Sequence, residues 1–299
     1  MNSDVSIYGG VEAGGTKFSC IIGSDPDHIL SECSFRTTTP EETLSQVIEF
    51  FANAKEPVSA IGIGSFGPVE LNQTSKFFGH ITNTPKPGWR NTDFAGTIGR
   101  ALKIPIVFDT DTNAAGLGEI EWGNAQALDY LLYVTIGTGI GGGFIIKRKP
   151  LHGLLHPEMG HMRIPHDWTQ DPFSGICPFH GDCLEGLASG PAICKRWGAL
   201  GEDIPPGHPA WILEAQYIAA GLVNLVCALS PQRIILGGGV MKHAELFSGI
   251  REKMKELSNR YFAHRQLQDD ISEYVVPPKL GERVGVLGAL ALAKIAFED

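Results

Sequence analysis

The chain has 299 residues, 43% of them hydrophobic and 19% charged, with a net charge of -9 at pH 7, which suits a soluble globular protein of one large or two smaller domains. The acidic balance and the lack of a Lys/Arg cluster argue against a nucleic-acid surface, and no uninterrupted apolar run approaches the roughly 18 residues that span a bilayer. Six cysteines, no basic leader with an apolar run behind it, and two of the thiols in a ligand-like knuckle lead us to expect a cytoplasmic protein in a reducing compartment.

Strand and helix signals alternate from the start. Val5–Gly10 and Thr16–Ile22 read as strands joined by the turn Glu12-Ala-Gly14-Gly15. A helix follows, with Thr39 as N-cap, Pro40 at its first position and Glu42 closing a capping box. Its apolar stripe is Leu44, Val47, Ile48 and Phe51, the spacing of one helix face. Val58–Gly64 reads as a strand, Phe94–Leu102 as a helix, Ile104–Phe108 as a strand and Ala114–Trp122 as a helix. The strand ending at Phe108 delivers Asp109-Thr110-Asp111-Thr112-Asn113. Asp111 is the best single catalytic candidate, because a carboxylate after a buried strand can reach a cleft. Capping the following helix is the competing role.

The opening theme then returns. Tyr130–Ile136 and Phe144–Lys147 read as strands around the turn Gly137-Thr138-Gly139-Ile-Gly-Gly-Gly143, which suggests a weak internal duplication. Further on come a helix after Glu185, a long apolar helix around Trp211–Leu229, and a strand Arg233–Leu236 running into Gly237-Gly238-Gly239. Helices near Ala244–Phe262 and Val286–Phe297 close the chain. The expected organisation is a small α/β domain over residues 1–118 and a larger α/β domain over 119–283. A last helix, about 284–299, is free to pack back onto the first.

Two glycine motifs imitate nucleotide fingerprints. Gly137 to Gly142 satisfies G-x-G-x-x-G, but that fingerprint opens a helix, and the β-branched run from Phe144 opens a strand. Gly10 to Lys17 resembles a P-loop, but it ends Gly-Thr-Lys and a strand follows. What remains is a pair of hairpin turns whose backbone N–H groups can cradle phosphate. Either alone reads equally well as a tight turn using glycine for its backbone freedom. Together, with Thr16, Lys17 and Thr138 at hand, they favour phosphate.

The densest chemistry lies between His156 and Glu185. Cys177, His180 and Cys183 form Cys-x-x-His-x-x-Cys, short enough for three side chains to turn onto one ion, and His161 is the natural fourth ligand of a closed tetrahedral zinc shell. Glu158 and Glu185 flank the ligands. Gly64–Pro68 offers backbone and Ser65 to a ligand or is an ordinary turn, and Asn83–Trp89 is a loop whose Trp89 packs inward. His28, His80, His208, His243 and His264 read as surface or core residues, and Cys20, Cys33, Cys194 and Cys227 as buried thiols.

Taken together, the segments Gly9–Phe18, Asp109–Ala115, Tyr133–Gly143, His156–His161, the knuckle through Glu185, and Ile234–Gly239 resemble the ROK family (repressors, open reading frames and kinases), and within it the bacterial fructokinases. The resemblance covers nearly the whole chain. It implies an α/β, actin-like, hexokinase-like (ribonuclease H-like) two-domain fold with ATP and a hexose meeting in the interdomain cleft. It implies Asp111 as catalytic base; Glu158, His161 and Glu185, with Gly67, Asn83 and Thr110, around the sugar; and zinc on His161, Cys177, His180 and Cys183. The phosphates of ATP, with Mg²⁺, would fall to Gly14, Gly15, Thr16, Lys17, Gly137, Thr138, Gly139, Gly237, Gly238 and Gly239. A homodimer is the family expectation. Glu12 stands where many members carry Asp, and Cys-Pro-Phe-His180 where many carry Cys-x-Cys-Gly; both variants resemble the fructokinase branch. A sugar-responsive repressor would need an N-terminal helix-turn-helix, for which a strand starting at residue 5 leaves no room. A zinc hydrolase would need an open metal position.

Overall fold

The computed structural model describes residues 6–298, so Val5 of the first expected strand lies outside it. Strands β1 (Tyr8–Ala13), β2 (Lys17–Asp25) and β3 (His28–Arg36) form an antiparallel meander. β3 was not anticipated. As a sheet edge it is largely exposed and polar, with Ile29, Cys33 and Phe35 half-buried against the core, so its apolar pattern is short and broken. α1 (Pro40–Ala52) begins as expected: the Thr39 hydroxyl accepts from the Glu42 amide at 3.3 Å, and Leu44, Val47 and Phe51 are buried.

β4 (Ile61–Ser65), the small antiparallel pair β5 (His80–Ile81) and β6 (Thr92–Asp93), α2 (Phe94–Leu102), β7 (Ile106–Thr110) and α3 (Asp111–Glu121) follow. The first sheet has the order β3-β2-β1-β4-β7, with β1, β4 and β7 mutually parallel. One face buries Phe18, Trp89, Phe94 and Phe108, with Phe18 and Trp89 ring centroids 5.5 Å apart. Trp89 is fully buried and donates from Nε1 to the Thr38 carbonyl at 2.9 Å, the polar partner a buried indole needs.

The second half contains β8 (Tyr130–Ile136), β9 (Ile140–Ile146), β10 (Lys149–Pro150), α4 (Leu184–Ala188), α5 (Gly190–Trp197), α6 (Pro209–Leu229), β11 (Arg233–Gly237), α7 (Ala244–Ser258), α8 (Arg265–Gln268), α9 (Ile271–Tyr274), β12 (Val275–Val276) and finally α10 (Val284–Glu298). Its sheet runs β10-β9-β8-β11-β12, the same third-second-first-fourth-fifth order as the first. The duplication suggested by the two glycine hairpins is therefore a duplication of topology, and the repeated order is that of the actin-like, ribonuclease H-like fold. α6 has the length and apolar composition of a bilayer span, although more than half of its most apolar window is buried in the protein and it carries the buried Glu214.

The chain forms two compact units. One gathers the residues up to Ala127, then Ile145–Pro157 and everything from Lys279 on; the other is Leu128–Phe144 with Glu158–Pro278. Residue 118, where the sequence reading sets its boundary, falls inside α3. α10 belongs to the first unit, buried from Gly285 to Ala293 and packed on Tyr8, Ile21 and Ala60. This packing is close. A β-carbon on Gly10 would lie 2.8 Å from the Leu290 nitrogen and the Val286 carbonyl oxygen, and one on Gly288 would overlap the Ala114 carbonyl of α3.

Gly288→Ala should accordingly cost about 1–3 kcal/mol by overpacking, a fall of roughly 2–10 °C in the thermal midpoint. An unchanged midpoint in a calorimetric scan would show that Gly288 does not set the α3–α10 spacing.

Candidate active site

In the first sheet, Ala13, Ser65 and Thr110 are aligned across β1, β4 and β7. Because the three strands are parallel, the segments that follow them emerge on one edge, where open α/β sheets bind ligands. From β1 comes the turn Gly14-Gly15-Thr16, closed by the Gly14 amide on the Lys17 carbonyl at 2.9 Å. Gly15, Thr16 and Lys17 are exposed. Glu12, just before the turn, is half-buried; burial pushes its carboxyl up, and Lys17 opposes this. From β4 comes the Gly67 turn, with Gly67 beside the His156 ring. Thr82 straps onto the Pro68 carbonyl through its amide at 2.8 Å and its hydroxyl at 3.0 Å, which leaves Asn83 as the next, exposed residue.

From β7 come three consecutive residues with three separate tasks. Thr110 is buried and its hydroxyl caps α3, accepting from the Asn113 amide at 3.1 Å. Asp111 is therefore not the N-cap but the first helical residue. It is half-buried, and one of its oxygens accepts from the Thr112 amide at 2.8 Å. Asp109, buried in the strand, accepts from the Thr110 amide and from Asn113 Nδ2, each at 2.7 Å. Its second oxygen faces His152 Nε2 at 3.0 Å, a pairing that sequence reasoning missed. That hydrogen bond, more than any other cause, holds the His152 imidazole above its ordinary pKa, against the effect of burial.

In the second unit β8 and β11 are parallel and aligned at Thr135 and Gly237, so the Gly137–Gly139 and Gly237–Gly239 turns are neighbours. A β-carbon on Gly137 would lie 3.6 Å from the Gly239 nitrogen. The Gly137 amide is committed to the Gly139 carbonyl at 2.9 Å, and its carbonyl accepts from Gly190 at 2.8 Å. Gly238 has φ +94°, a conformation that only glycine adopts without strain. Thr138 is exposed at the tip. The turn is shorter than expected, since β9 already begins at Ile140. Glu185, in the first turn of α4, accepts from the Ile140 amide at 2.9 Å. A β-carbon on Gly139 would stand 2.7 Å from that same carboxylate, so glycine there makes room for Glu185.

His161, Cys177, His180 and Cys183 offer one ligand atom each, all within 4.8 Å of one another. Cys177 Sγ lies 3.7 Å from His161 Nδ1 and 3.5 Å from His180 Nδ1, and Cys183 Sγ lies 3.6 Å from His161 Nδ1. With zinc–sulfur and zinc–nitrogen bonds of about 2.3 and 2.0 Å, tetrahedral edges come to roughly 3.3–3.8 Å, so the donors fit one such ion. Burial pushes the Cys183 thiol up to about 11, and a thiolate there calls for a cation. Glu158, exposed, starts the short turn that carries His161, whose amide donates to the Glu158 carbonyl at 3.1 Å. Among the other cysteines, Cys20 is buried, Cys33 and Cys194 are half-buried, and Cys227 is exposed, against expectation. His208 caps α6, accepting from the Ala210 amide at 3.1 Å.

The family model described as the ROK family matches residues 8–296. The fructokinase of Pediococcus pentosaceus is 44% identical, with 98% of this chain and 99% of that protein covered. The fructokinase of Zymomonas mobilis is 43% identical over 99% of both chains. The crystal structure of a ROK family glucokinase from Streptomyces griseus, in complex with glucose and AMPPNP, superposes with a TM-score of 0.75 at 26% identity, covering 97% of this chain and 100% of that one.

Proposed function

The chain belongs to the ROK family, and we propose that it is an ATP-dependent hexose kinase that transfers the γ-phosphoryl group of ATP to the 6-hydroxyl of D-fructose. The catalytic part of this reading is carried by Asp111: the first residue of α3, half-buried, with capping left to Thr110. The choice of fructose is supported by relatives of that name at 42–48% identity over nearly the whole chain.

In this reaction the sugar oxygen attacks the γ-phosphorus, its proton passes to the Asp111 carboxylate, and the bond to the β–γ bridging oxygen breaks to release ADP. The transition state is loose, so positioning and charge neutralisation do most of the work. Mg²⁺ enters with the nucleotide substrate. The Gly14–Gly15 and Gly137–Gly139 turns, through the amides not spent on closing them, hold the phosphates together with Thr16, Lys17, Thr138 and the Gly237–Gly239 segment. Glu158, His161 and Glu185, with Gly67, Asn83 and Thr110, take the hexose. Zinc on His161, Cys177, His180 and Cys183 has a structural part: it fixes the segments carrying Glu158 and Glu185, and His161, whose Nδ1 faces the thiols, keeps Nε2 for the sugar. The working form is a cytoplasmic homodimer.

Asp111→Asn should lower kcat by roughly 10²–10⁴-fold while ATP binding persists, the usual loss on removing a general base. A variant retaining more than about a third of wild-type kcat ends the base assignment.

Protein purified without a histidine tag should carry one zinc per chain, because two thiolates make the site too soft for magnesium or calcium. Cys183→Ser with full zinc content and full activity would show that the knuckle is not a ligand set.

In a coupled ADP-release assay across a hexose panel, fructose should give the highest kcat/KM, with mannose second. Truncating Glu158 or Glu185 should raise KM for the hexose by about 5- to 150-fold, the cost of an unpaired buried hydroxyl partner, and KM for ATP far less. Glucose or N-acetylmannosamine exceeding fructose tenfold would overturn fructose as the substrate and leave the kinase standing.

A further inference from the structure

We propose that His152 is a further substrate-binding residue: Asp109 grips its Nε2, and the ring presents Nδ1 to a hydroxyl of the hexose. This rests on the hexose-kinase reading, though not on fructose in particular. Three features carry it.

The first is the fixity of Asp109. Its carboxylate is buried and held by a backbone amide and the Asn113 side chain, each at 2.7 Å. An anchor held at two further points cannot follow a wandering imidazole, so the His152 ring is oriented by contact with it. Such a carboxylate–imidazole pair fixes the tautomer and ring plane of a histidine whose other nitrogen works elsewhere. With Nε2 on Asp109 at 3.0 Å, that other atom is Nδ1.

The second is access. The His152 side chain keeps 38% of its surface exposed while Asp109 keeps 5%, so the ring is held at the bottom and open at the top. A histidine serving only to tie down its loop would gain by being covered; this one is presented.

The third is place. Asp109 lies two residues before Asp111 on the strand edge where the Gly14 and Gly67 turns also emerge. The loop after β10 is fastened there twice, by His152 on Asp109 and by His156, whose Nε2 accepts from the Val69 amide at 3.1 Å. Between the two fastenings Leu154 is 98% exposed. The two histidines fasten this loop to the edge. All of these residues belong to the first unit.

The test is steady-state kinetics of three full-length variants with whichever hexose the wild type phosphorylates, alongside thermal midpoints. The side-chain amide of Asn occupies roughly the place of His Nδ1, and that of Gln the place of His Nε2. His152→Ala should raise KM for the hexose about tenfold, as expected for one lost hydrogen bond, with KM for ATP within about twofold. His152→Asn should recover most of that loss and His152→Gln little of it. If His152→Gln restores the hexose KM and His152→Asn does not, the residue only anchors its loop and the proposal falls. Equal increases in the two KM values would overturn it as well. A wild type active on no hexose would sink the kinase reading and this proposal together, whereas an active wild type with anchor-like variants sinks the proposal alone.

Discussion

The first unit depends on a backbone approach that side chains would forbid. α10 lies against β1, β4 and α3 through Gly10, Gly62, Gly118, Gly285 and Gly288. At Gly62 a β-carbon would overlap the Ala289 carbonyl, and at Gly118 it would come within 2.9 Å of Gly288 Cα. Removing β-carbons from both sides brings main-chain atoms into dispersion contact and lets the last helix complete a core begun by the first strand. The consequence for the site is positional. β1, β4 and β7 end in one aligned row, from which the Gly14 turn, the Gly67 turn and Asp111 leave, and α10 packs on two of these strands and on the helix that Asp111 begins.

The β7–α3 junction shows how three adjacent polar residues can be prevented from competing. An exposed helix start would invite the first carboxylate to cap it. Here Thr110 takes that task, and Asp109 accepts from the Thr110 amide and from the Asn113 side-chain amide. Asp111 is thereby released from capping the helix and stands as its first residue.

What could be read from the chain alone was whatever is written at short, fixed spacing. The Thr39–Pro40–Glu42 start of α1 was legible, as were the limits of α2 and β8, and the four-donor cluster, whose members span 23 residues. The failures have two causes, a polar or very short element with little apolar pattern, or a partner far along the chain. β3 has an edge strand's polar face and no periodic signature, and β12 is two residues long. Asp109 and His152 are 43 positions apart, and nothing in either neighbourhood announces the other. Glu119 is similar. It is fully buried, and its two oxygens accept from the Asn124 amide at 2.7 Å and, across 161 positions, from the Leu280 amide at 2.9 Å. Locally it is one more polar residue on a helix.

The long segment from the turn that carries His161 through the knuckle, residues 162–183, shows why donors and ion pairs gather there. It has almost no regular structure beyond single bridges joining Arg163 to Cys183 and Cys177 to Gly181, and a stretch of this length inside a compact unit must be held by something other than a ladder. On one side it is held by a buried polar network. His166 lies between Asp182 at 3.3 Å and the Asp171 carbonyl at 2.9 Å; Asp171 in turn accepts from Tyr217 at 2.6 Å and pairs with Arg196 at 3.2 Å. On the other side stand the two thiols and two imidazoles. The network reaches Asp182, and the next residue is Cys183 of the four-donor group, so the two fastenings meet at one point of the chain. Glu185 lies two residues beyond, and Glu158 three residues before His161. A cation on the four donors would therefore fix both glutamates at once, from either end of the segment, which neither the network nor the short helix α4 could do alone.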